Sequence, residues 1–222
     1  MNGKFYAVGV GPGDPDLLTV KAIKTIKDCD IIVAPKSGAT KNIALQITEE
    51  YLKDKDVLEL DMPMIRDEKL LDQYHDKASD EIAELLNKEK NVAFLTLGDP
   101  TIYSTVMYVH KRLKNKGYNT NIVPGIPSFC AVAASLDTTL CERNEMLHII
   151  PASYKEVDYA LSLNGNKVLM KSGKSIMGIK EKLSNKKAMM VECASMPNEK
   201  VYQSLNDLEE ASSYFSVIIV KE

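Results

Sequence analysis

One stretch restricts the fold most: an apolar segment that runs into a Gly-Asp-Pro turn and then into a helical pattern. Residues 92–95 (Val-Ala-Phe-Leu) predict a buried strand, residues 98–100 the turn, and residues 106–113 the helix. Open α/β sheets build ligand crevices from this arrangement, at the carboxyl ends of their strands. A helix start that is capped by Asp99 or Ser104 and binds nothing explains the stretch equally well.

Composition excludes several classes of protein. The 222-residue chain is 45% apolar and 27% charged, as soluble globular proteins are. Its net charge of −3 argues against a nucleic-acid partner. The sequence has no signal-like segment and no apolar run near the roughly 20 residues that a membrane span needs, so we expect no membrane partner. The four cysteines are scattered, which indicates reduced thiols in a cytoplasmic protein and no structural zinc.

Strands and helices alternate through residue 117, which predicts an α/β fold with a parallel sheet wrapped by helices. The second half is less regular, although several apolar runs there still predict strands. We therefore expect two α/β lobes, 1–120 and 121–222, with the active site in the cleft between them. The predicted strands are 5–10, 31–35, 57–60, 92–95, 121–123, 146–151, 167–171, 188–193 and 214–220.

Two glycine-containing turns look like nucleotide motifs but fail the test of spacing. In the first, Asp14 stands where a dinucleotide fingerprint needs its third glycine, and Pro12 removes an amide donor. In the second, Val168 occupies the position of the first glycine of a P-loop. We conclude that neither turn is a phosphate cradle.

Two further features leave alternatives open. Met62-Pro63-Met64 could line a pocket for a flat apolar ligand or tuck under the following helix, and the second reading is favoured about two to one. His148 lies within an apolar run, where a hydrogen-bonded histidine of the core or rim is favoured over a general base.

Three ordered motifs resemble the tetrapyrrole methylase family: residues 9–19 (Gly-Val-Gly-Pro-Gly-Asp-Pro-Asp-Leu-Leu-Thr), 97–100 (Leu-Gly-Asp-Pro) and 123–126 (Val-Pro-Gly-Ile). The resemblance covers essentially the whole chain. It implies a methyltransferase that uses S-adenosyl-L-methionine (SAM) and yields S-adenosyl-L-homocysteine. It also implies two α/β lobes, with a parallel sheet in the N-terminal lobe and a mixed sheet in the C-terminal lobe.

Within the family, three segments most resemble the C20-methyltransferases of cobalamin biosynthesis. They are Met62-Pro63-Met64, Tyr103-Ser104-Thr105 and Tyr214-Phe215-Ser216. The resemblance points to methylation of cobalt-factor II in the anaerobic, early-cobalt route. A relative that acts on metal-free precorrin-2 stays an alternative.

The resemblance also implies the cofactor-binding residues. Asp99 is the carboxylate that we expect to offset the sulfonium charge or bind a polar cofactor group, and it is our candidate for electrostatic positioning. No nucleophile–base pair is recognisable in the sequence, which suits a reaction driven by positioning. The implied contacts are Pro12, Leu97, Gly98, Asp99, Ile102, Tyr103, Ser104, Thr105, Pro127, Ser128, Pro151, Ala152, Met170, Lys171, Ser216 and Val217.

A tetrapyrrole substrate carries many carboxylates, so cations are expected near it. Lys36, Arg66, Lys171 and Lys174 follow predicted strand ends and are the candidates, although each alone could be an ordinary surface cation. Any cobalt should arrive within the substrate, so we expect no metal site in the protein. The resemblance implies a homodimer.

Other functions share parts of this pattern. A uroporphyrinogen methyltransferase, a diphthine synthase or a ribosomal RNA methyltransferase would carry the same cofactor motifs, and the acidic composition disfavours the last. A non-catalytic SAM-binding sensor is an alternative of another class. A nicotinamide oxidoreductase is disfavoured by the failed dinucleotide fingerprint.

Overall fold

The computed structural model describes residues 2–36, 42–63, 65, 67–153, 155–210 and 212–222, and only the backbone of Lys174. Met64 and Arg66 therefore lie outside the described residues. The chain divides into two compact units, Met1–Pro127 and Ser128–Glu222. The lobe boundary predicted at 120/121 falls within a strand of the first unit, and the observed division lies seven residues later.

Unit 1 is built on an all-parallel sheet of five strands, which we call sheet A, in the order β3-β2-β4-β1-β5. The strands are β1 (Phe5–Gly9), β2 (Ile31–Lys36), β3 (Asp56–Asp61), β4 (Val92–Thr96) and β5 (Thr120–Val123). The helices of this unit are α1 (Val20–Asp28), α2 (Ile43–Ile47), α3 (Glu68–Asn87) and α4 (Val106–Asn115). The predicted parallel sheet is confirmed.

Both faces of this sheet are covered, which explains why its central strands are apolar runs without alternation. Phe5 and Phe94 point to one face and pack with the buried stripes of α3 and α4. Val8 and Leu95 point to the other face and pack with α1 and α2. Helices on both faces leave the ends of the strands as the place where a ligand can reach the sheet.

Unit 2 contains a mixed sheet of five strands, which we call sheet B, in the order β6-β7-β10-β8-β9. Strands β6 and β7 are parallel, and the other neighbouring pairs are antiparallel. The strands are β6 (Leu147–Pro151), β7 (Asn166–Met170), β8 (Lys187–Glu192), β9 (Lys200–Tyr202) and β10 (Ser216–Lys221). The helices are α5 (Ser128–Ser135), α6 (Val157–Ser162) and α7 (Ile176–Lys182).

The predicted mixed sheet is confirmed, while β9 and α6 were not predicted. Strand β9 has three residues, too few to show a period in the sequence. Leu169, Met190 and Ile218 form the centre of an apolar core against α6 and α7. None of the helices in the described part of the chain combines the length and apolarity that a bilayer crossing needs.

Candidate functional site

The carboxyl ends of β4, β1 and β5 lie side by side and bring the three sequence motifs of unit 1 together. Two backbone hydrogen bonds join the first motif to the second: Gly98 N–H donates to Gly11 O at 2.7 Å, and Gly11 N–H donates to Gly98 O at 3.3 Å. Both glycines have left-handed backbone, with φ of 78° and 71°. We call this set of loops the sheet A edge, comprising residues 9–14, 97–105 and 123–127.

Two other glycines of the sheet A edge are required by close packing. A Cβ on Gly9 would lie 2.6 Å from Gly98 O and 2.7 Å from Gly125 N. A Cβ on Gly125 would lie 2.3 Å from the same Gly98 oxygen. These distances are too short for any side chain, and the obstructing atoms belong to backbone. The glycines therefore serve the contact between the loops, which agrees with the rejection of a phosphate cradle.

Asp99 fastens the second loop to the third. Its side chain is 8% exposed, and Oδ2 accepts a hydrogen bond from Gly125 N–H at 3.0 Å. Oδ1 accepts from the backbone N–H of Thr101 at 2.8 Å and from its hydroxyl at 2.5 Å. Both carboxylate oxygens thus serve the protein itself, and a direct role of Asp99 toward a cofactor stays a prediction.

The rest of the second loop presents a mixture of aromatic, apolar and hydroxyl groups. Tyr103 is a non-glycine residue with left-handed backbone (φ 49°), and the residue is 44% exposed. Burial of the phenol raises the pKa of Tyr103, so it is a neutral donor at physiological pH. Ser104 Oγ lies 2.7 Å from Thr96 Oγ1, which ties the loop to the end of β4. Leu97 and Ile102 are partly buried, Thr105 is exposed, and Pro12 is buried.

Lys36, a candidate substrate contact, ends β2 at the same edge of the sheet. Its ammonium lies 3.5 Å from Asp61 Oδ1 at the end of β3, and both side chains are more than half exposed. Such a pair contributes little to stability because solvent screens it. Lys36 could therefore exchange Asp61 for a carboxylate of a ligand. Of the other candidates, Arg66 and the side chain of Lys174 lie outside the described atoms, and Lys171 belongs to unit 2.

In unit 2, the predicted pairs of cofactor residues also meet at one edge. Pro151 pairs with Met170, Met170 with Val217, and Ser216 with Glu192. Ala152 N–H donates to Met170 O at 2.7 Å. The carboxyl ends of β6, β7 and β8 and the start of β10 form this edge. We call it the sheet B edge, comprising residues 151–153, 170–173, 192–195 and 212–217.

Serine hydroxyls fasten the sheet B edge. Ser172 and Ser216 are fully buried. Ser172 Oγ donates to Ser216 O at 3.3 Å, and Ser216 Oγ lies 2.8 Å from both Ser212 Oγ and Ser213 O. Each buried hydroxyl is thereby satisfied within the protein, which a buried polar group requires.

Three residues at or beside the sheet B edge have left-handed backbone without being glycine: Lys171 (φ 59°), Cys193 (φ 53°) and Ser195 (φ 59°). Such conformations are costly and concentrate at functional sites. Glu199 holds this region, because its Oε2 accepts from Ser195 N–H at 2.5 Å and from Ser135 Oγ at 3.1 Å. Sequence reasoning missed the role of residues 193–195; the one available signal was their place at the end of a predicted strand and just after it.

Lys171 differs from an ordinary surface lysine. It is the first residue after β7 and is only partly exposed. Burial lowers the pKa of its ammonium group, because desolvation penalises the charged form. Lys171 is therefore more often neutral near physiological pH than a lysine in water.

Two open alternatives can now be decided. Met62 is 8% exposed and packs in the core with α3, so at this residue the segment tucks under the helix. His148 lies in β6, where its Nε2–H donates to Asn164 O at 2.8 Å, as expected of a hydrogen-bonded rim histidine. Among the described residues, no three His, Cys, Asp or Glu side chains are grouped as metal ligands.

Comparison with known proteins identifies the class. The family model for tetrapyrrole (corrin/porphyrin) methylases matches residues 4–209. The chain belongs to the tetrapyrrole methylase family, which confirms the resemblance drawn from its three motifs.

Particular relatives extend over nearly the whole chain. A probable cobalt-precorrin-2 C(20)-methyltransferase of Methanocaldococcus jannaschii is 37% identical, over 98% of this chain and 96% of the relative. A cobalt-precorrin-2 C(20)-methyltransferase of Salmonella typhimurium is 31% identical, over 100% and 98%. A precorrin-2 C(20)-methyltransferase of a Sinorhizobium species is 27% identical, over 98% and 95%.

Solved structures show the same fold. The cobalt precorrin-4 methyltransferase CbiF superposes with a TM-score of 0.78 at 21% identity, covering 98% of this chain and 94% of that one. A uroporphyrin-III C-methyltransferase of Thermus thermophilus gives 0.74 at 21% identity, covering 100% and 93%. At this identity the likeness concerns the fold alone.

Proposed function

We propose that this protein transfers a methyl group from SAM to C20 of a cobalt-bound tetrapyrrole in cobalamin biosynthesis. The observation that carries the proposal is the 37% identity to the Methanocaldococcus relative over almost the full length of both chains. That relative is named for cobalt-precorrin-2, and the sequence motifs point to cobalt-factor II. Either name describes a cobalt-bound substrate that is methylated at the same carbon.

Metal-free precorrin-2 is the second candidate substrate. A relative named for it is 27% identical to this chain, against 37% and 31% for the two named for the cobalt form. The cobalt-bound substrate is therefore favoured. The uroporphyrinogen and diphthine alternatives have no comparable support among these relatives.

The sheet A edge fits SAM by the nature of its surfaces. Left-handed Gly11 and Gly98 pair their backbone groups with each other and so fix the two loops beside the strand ends. Tyr103 and Ile102 offer partly exposed aromatic and apolar surface for an adenine ring. We propose that residues 97–99 and 102–105 hold the cofactor, with Pro12 and Pro127 beside them.

The sheet B edge fits the same family of ligands. The hydroxyls of Ser172 and Ser216 are satisfied internally and shape the edge, while Met170 and Lys171 are partly exposed there. We propose that Ser128, Pro151–Ala152, Met170–Lys171 and Ser216–Val217 also contact the cofactor.

SAM supplies an activated methyl group: the carbon–sulfur bond breaks, its electron pair stays on sulfur, and a bond forms to a nucleophilic carbon. The macrocycle provides that nucleophile through its conjugated ring system. The protein's own contribution is then to hold both reactants in line and to keep water away, which can account for several kcal/mol of the barrier, about 7 or more in favourable cases. Lys36 offers a cation for the substrate carboxylates.

The test is incubation with SAM labelled at its methyl group, and with cobalt-factor II and precorrin-2 in separate reactions. We expect label at C20 and faster turnover of the cobalt-bound substrate. Faster methylation of precorrin-2 would replace the substrate but keep the reaction. Tight SAM binding without turnover of any tetrapyrrole would identify a sensor instead.

We further propose a homodimer, as the family resemblance implies. Light scattering should then give about twice the 24.7 kDa mass of one chain. A monomer at assay concentration would contradict this part of the proposal and leave the reaction untouched.

A further inference from the structure

We infer that the side-chain amine of Lys171 is the proton acceptor of the proposed reaction and takes the hydrogen that C20 loses after methylation. The inference rests on the proposed function and adds a residue role to it. It is drawn from three observations: the position of Lys171 directly after β7, the contacts that fix its backbone, and the burial that disfavours its charged form.

The backbone of Lys171 is fixed on both sides. Before it, Met170 pairs with Val217 in β10, and its carbonyl accepts from Ala152 N–H at 2.7 Å. After it, Ser172 is fully buried, and its hydroxyl donates to Ser216 O at 3.3 Å. The backbone of Lys171 is therefore held in place at the sheet B edge, which a group that acts on a substrate requires.

The backbone conformation of Lys171 is energetically unfavourable for a lysine. With φ of 59°, the backbone of Lys171 lies in the left-handed region, which is unfavourable for a residue with a Cβ. Glycine would occupy the position without that cost. Strain of this kind at a strand end beside a ligand site motivates a functional role for the side chain.

The surroundings favour the neutral amine. Burial is the cause that lowers the pKa of Lys171. The described titratable groups on the neighbouring strand ends are Glu192, Cys193 and Tyr214, while β6 ends in Pro151 and Ala152, which do not titrate. Glu192 Oε1 accepts from Ser213 N–H at 2.7 Å, and burial raises the pKa of Tyr214, which stays a neutral phenol.

The proposed step balances. After methyl transfer, C20 bears both a hydrogen and the new methyl group, and the macrocycle has gained one positive charge. The lone pair of the neutral Lys171 amine takes the proton, and the electrons of the C20–H bond return to the conjugated ring. The resulting ammonium group releases its proton to water before the next turnover.

A different role makes opposite predictions. If Lys171 acted as an ammonium group that binds a substrate carboxylate, arginine would replace it well, since guanidinium groups bind carboxylates. Turnover would then fall as pH rises through the pKa of Lys171. A proton acceptor cannot be replaced by arginine, which stays protonated, and its turnover rises with pH.

The experiment compares Lys171→Arg and Lys171→Met with matched changes at Lys187, an exposed lysine at the start of β8. Wild-type methylation at C20 is established first, because its absence would refute the proposed function and not this inference. We expect kcat to fall about 100-fold or more in both Lys171 variants and to be unchanged in both Lys187 variants. Methylamine should restore turnover to Lys171→Met.

A second readout does not depend on turnover. Acetylation of each lysine by an N-hydroxysuccinimide ester, followed by mass spectrometry across a pH series without SAM, reports the pKa of each amine. We expect the midpoint for Lys171 to be lower in the folded protein than in the urea-unfolded protein. Turnover of Lys171→Arg within about tenfold of wild type would overturn the inference in favour of a carboxylate contact. Equal acetylation midpoints would overturn it as well, and this result needs no variant to fold.

Discussion

The two strand edges that carry the candidate residues are fixed by different means. At the sheet A edge, loops touch backbone to backbone, with Gly9 and Gly125 at positions where no Cβ fits. At the sheet B edge, buried serines hold the strands, and the left-handed positions belong to Lys171 and Cys193 instead of glycine.

This difference shows which of the two edges can be recognised from the sequence. Backbone contact permits only glycine at particular positions, so it leaves a fixed spacing of glycines in the chain. Hydrogen bonds between serines can be made by several arrangements of residues and leave no spacing of that kind. The sheet A edge is therefore a rigid scaffold that can be read from sequence, and the sheet B edge is a scaffold that can be read only from structure.

The largest expected effect tests the backbone contact of the sheet A edge. In Gly125→Ala the new Cβ would meet Gly98 O at 2.3 Å, and neither backbone can yield without breaking the loop contact. We expect the free energy of unfolding to fall by about 3 kcal/mol, measured by urea denaturation.

Gly178→Ala is the matched control, because it lies within α7 and its Cβ would meet nothing within 4 Å. Its stability should rise by up to about 1 kcal/mol through helix propensity. Similar stabilities for the two variants would refute the close-packing account of the glycine motifs.

Asp99→Ala separates scaffolding from ligand binding at the same edge. The change leaves the N–H groups of Gly125 and Thr101 without their acceptor, which should lower the free energy of unfolding by about 1–3 kcal/mol. SAM affinity, measured by calorimetry, should fall severely. Reduced stability with unchanged affinity would make Asp99 a structural residue and remove it from the cofactor site.

The sequence predicted the fold well and the site unevenly, for physical reasons. Strands β1, β2 and β4 are buried on both faces, so each shows as an apolar run, and the motifs at 9–19 and 97–100 directly follow β1 and β4. Asp99 was singled out, but its hydrogen bond to the third loop was invisible, because Gly125 lies 26 residues away along the chain. Cys193 and Ser195 were missed because no residue type advertises a left-handed backbone other than glycine or asparagine.

We expect the loss of stability at low pH to come from groups between α3 and α4 of unit 1, away from both edges. His75 and His110 are buried there, and the Nδ1 atom of each lacks a hydrogen-bond partner among the described residues. Burial, the largest cause, lowers the pKa of each imidazole, so the unfolded chain binds protons more readily than the folded chain. Stability from these groups is complete above their unfolded pKa of about 6.5 and is lost as the pH falls below it.

The measurement is the urea midpoint at about pH 7.5 and about pH 5.5, for the wild type and for a variant with His75→Phe and His110→Phe. Phenylalanine keeps an aromatic ring at each position, including the ring at 75 that stacks on Tyr108, and removes the titration. We expect acid to lower the midpoint more in the wild type. An equal loss in both proteins would place the acid-sensitive groups elsewhere.

The smallest expected effect tests the strain at the sheet B edge. Lys171→Gly and Lys171→Ala both remove the amine, but only glycine accepts a φ of 59° without strain. Glycine should therefore be the more stable variant, by up to about 1 kcal/mol in urea denaturation. At Lys187, in the extended backbone of β8, the order should reverse, because glycine there only adds entropy to the unfolded chain. If glycine is the more stable variant at 171 and alanine at 187, lysine is present at 171 despite an unfavourable backbone conformation. If alanine is the more stable variant at both positions, Lys171 stores no strain.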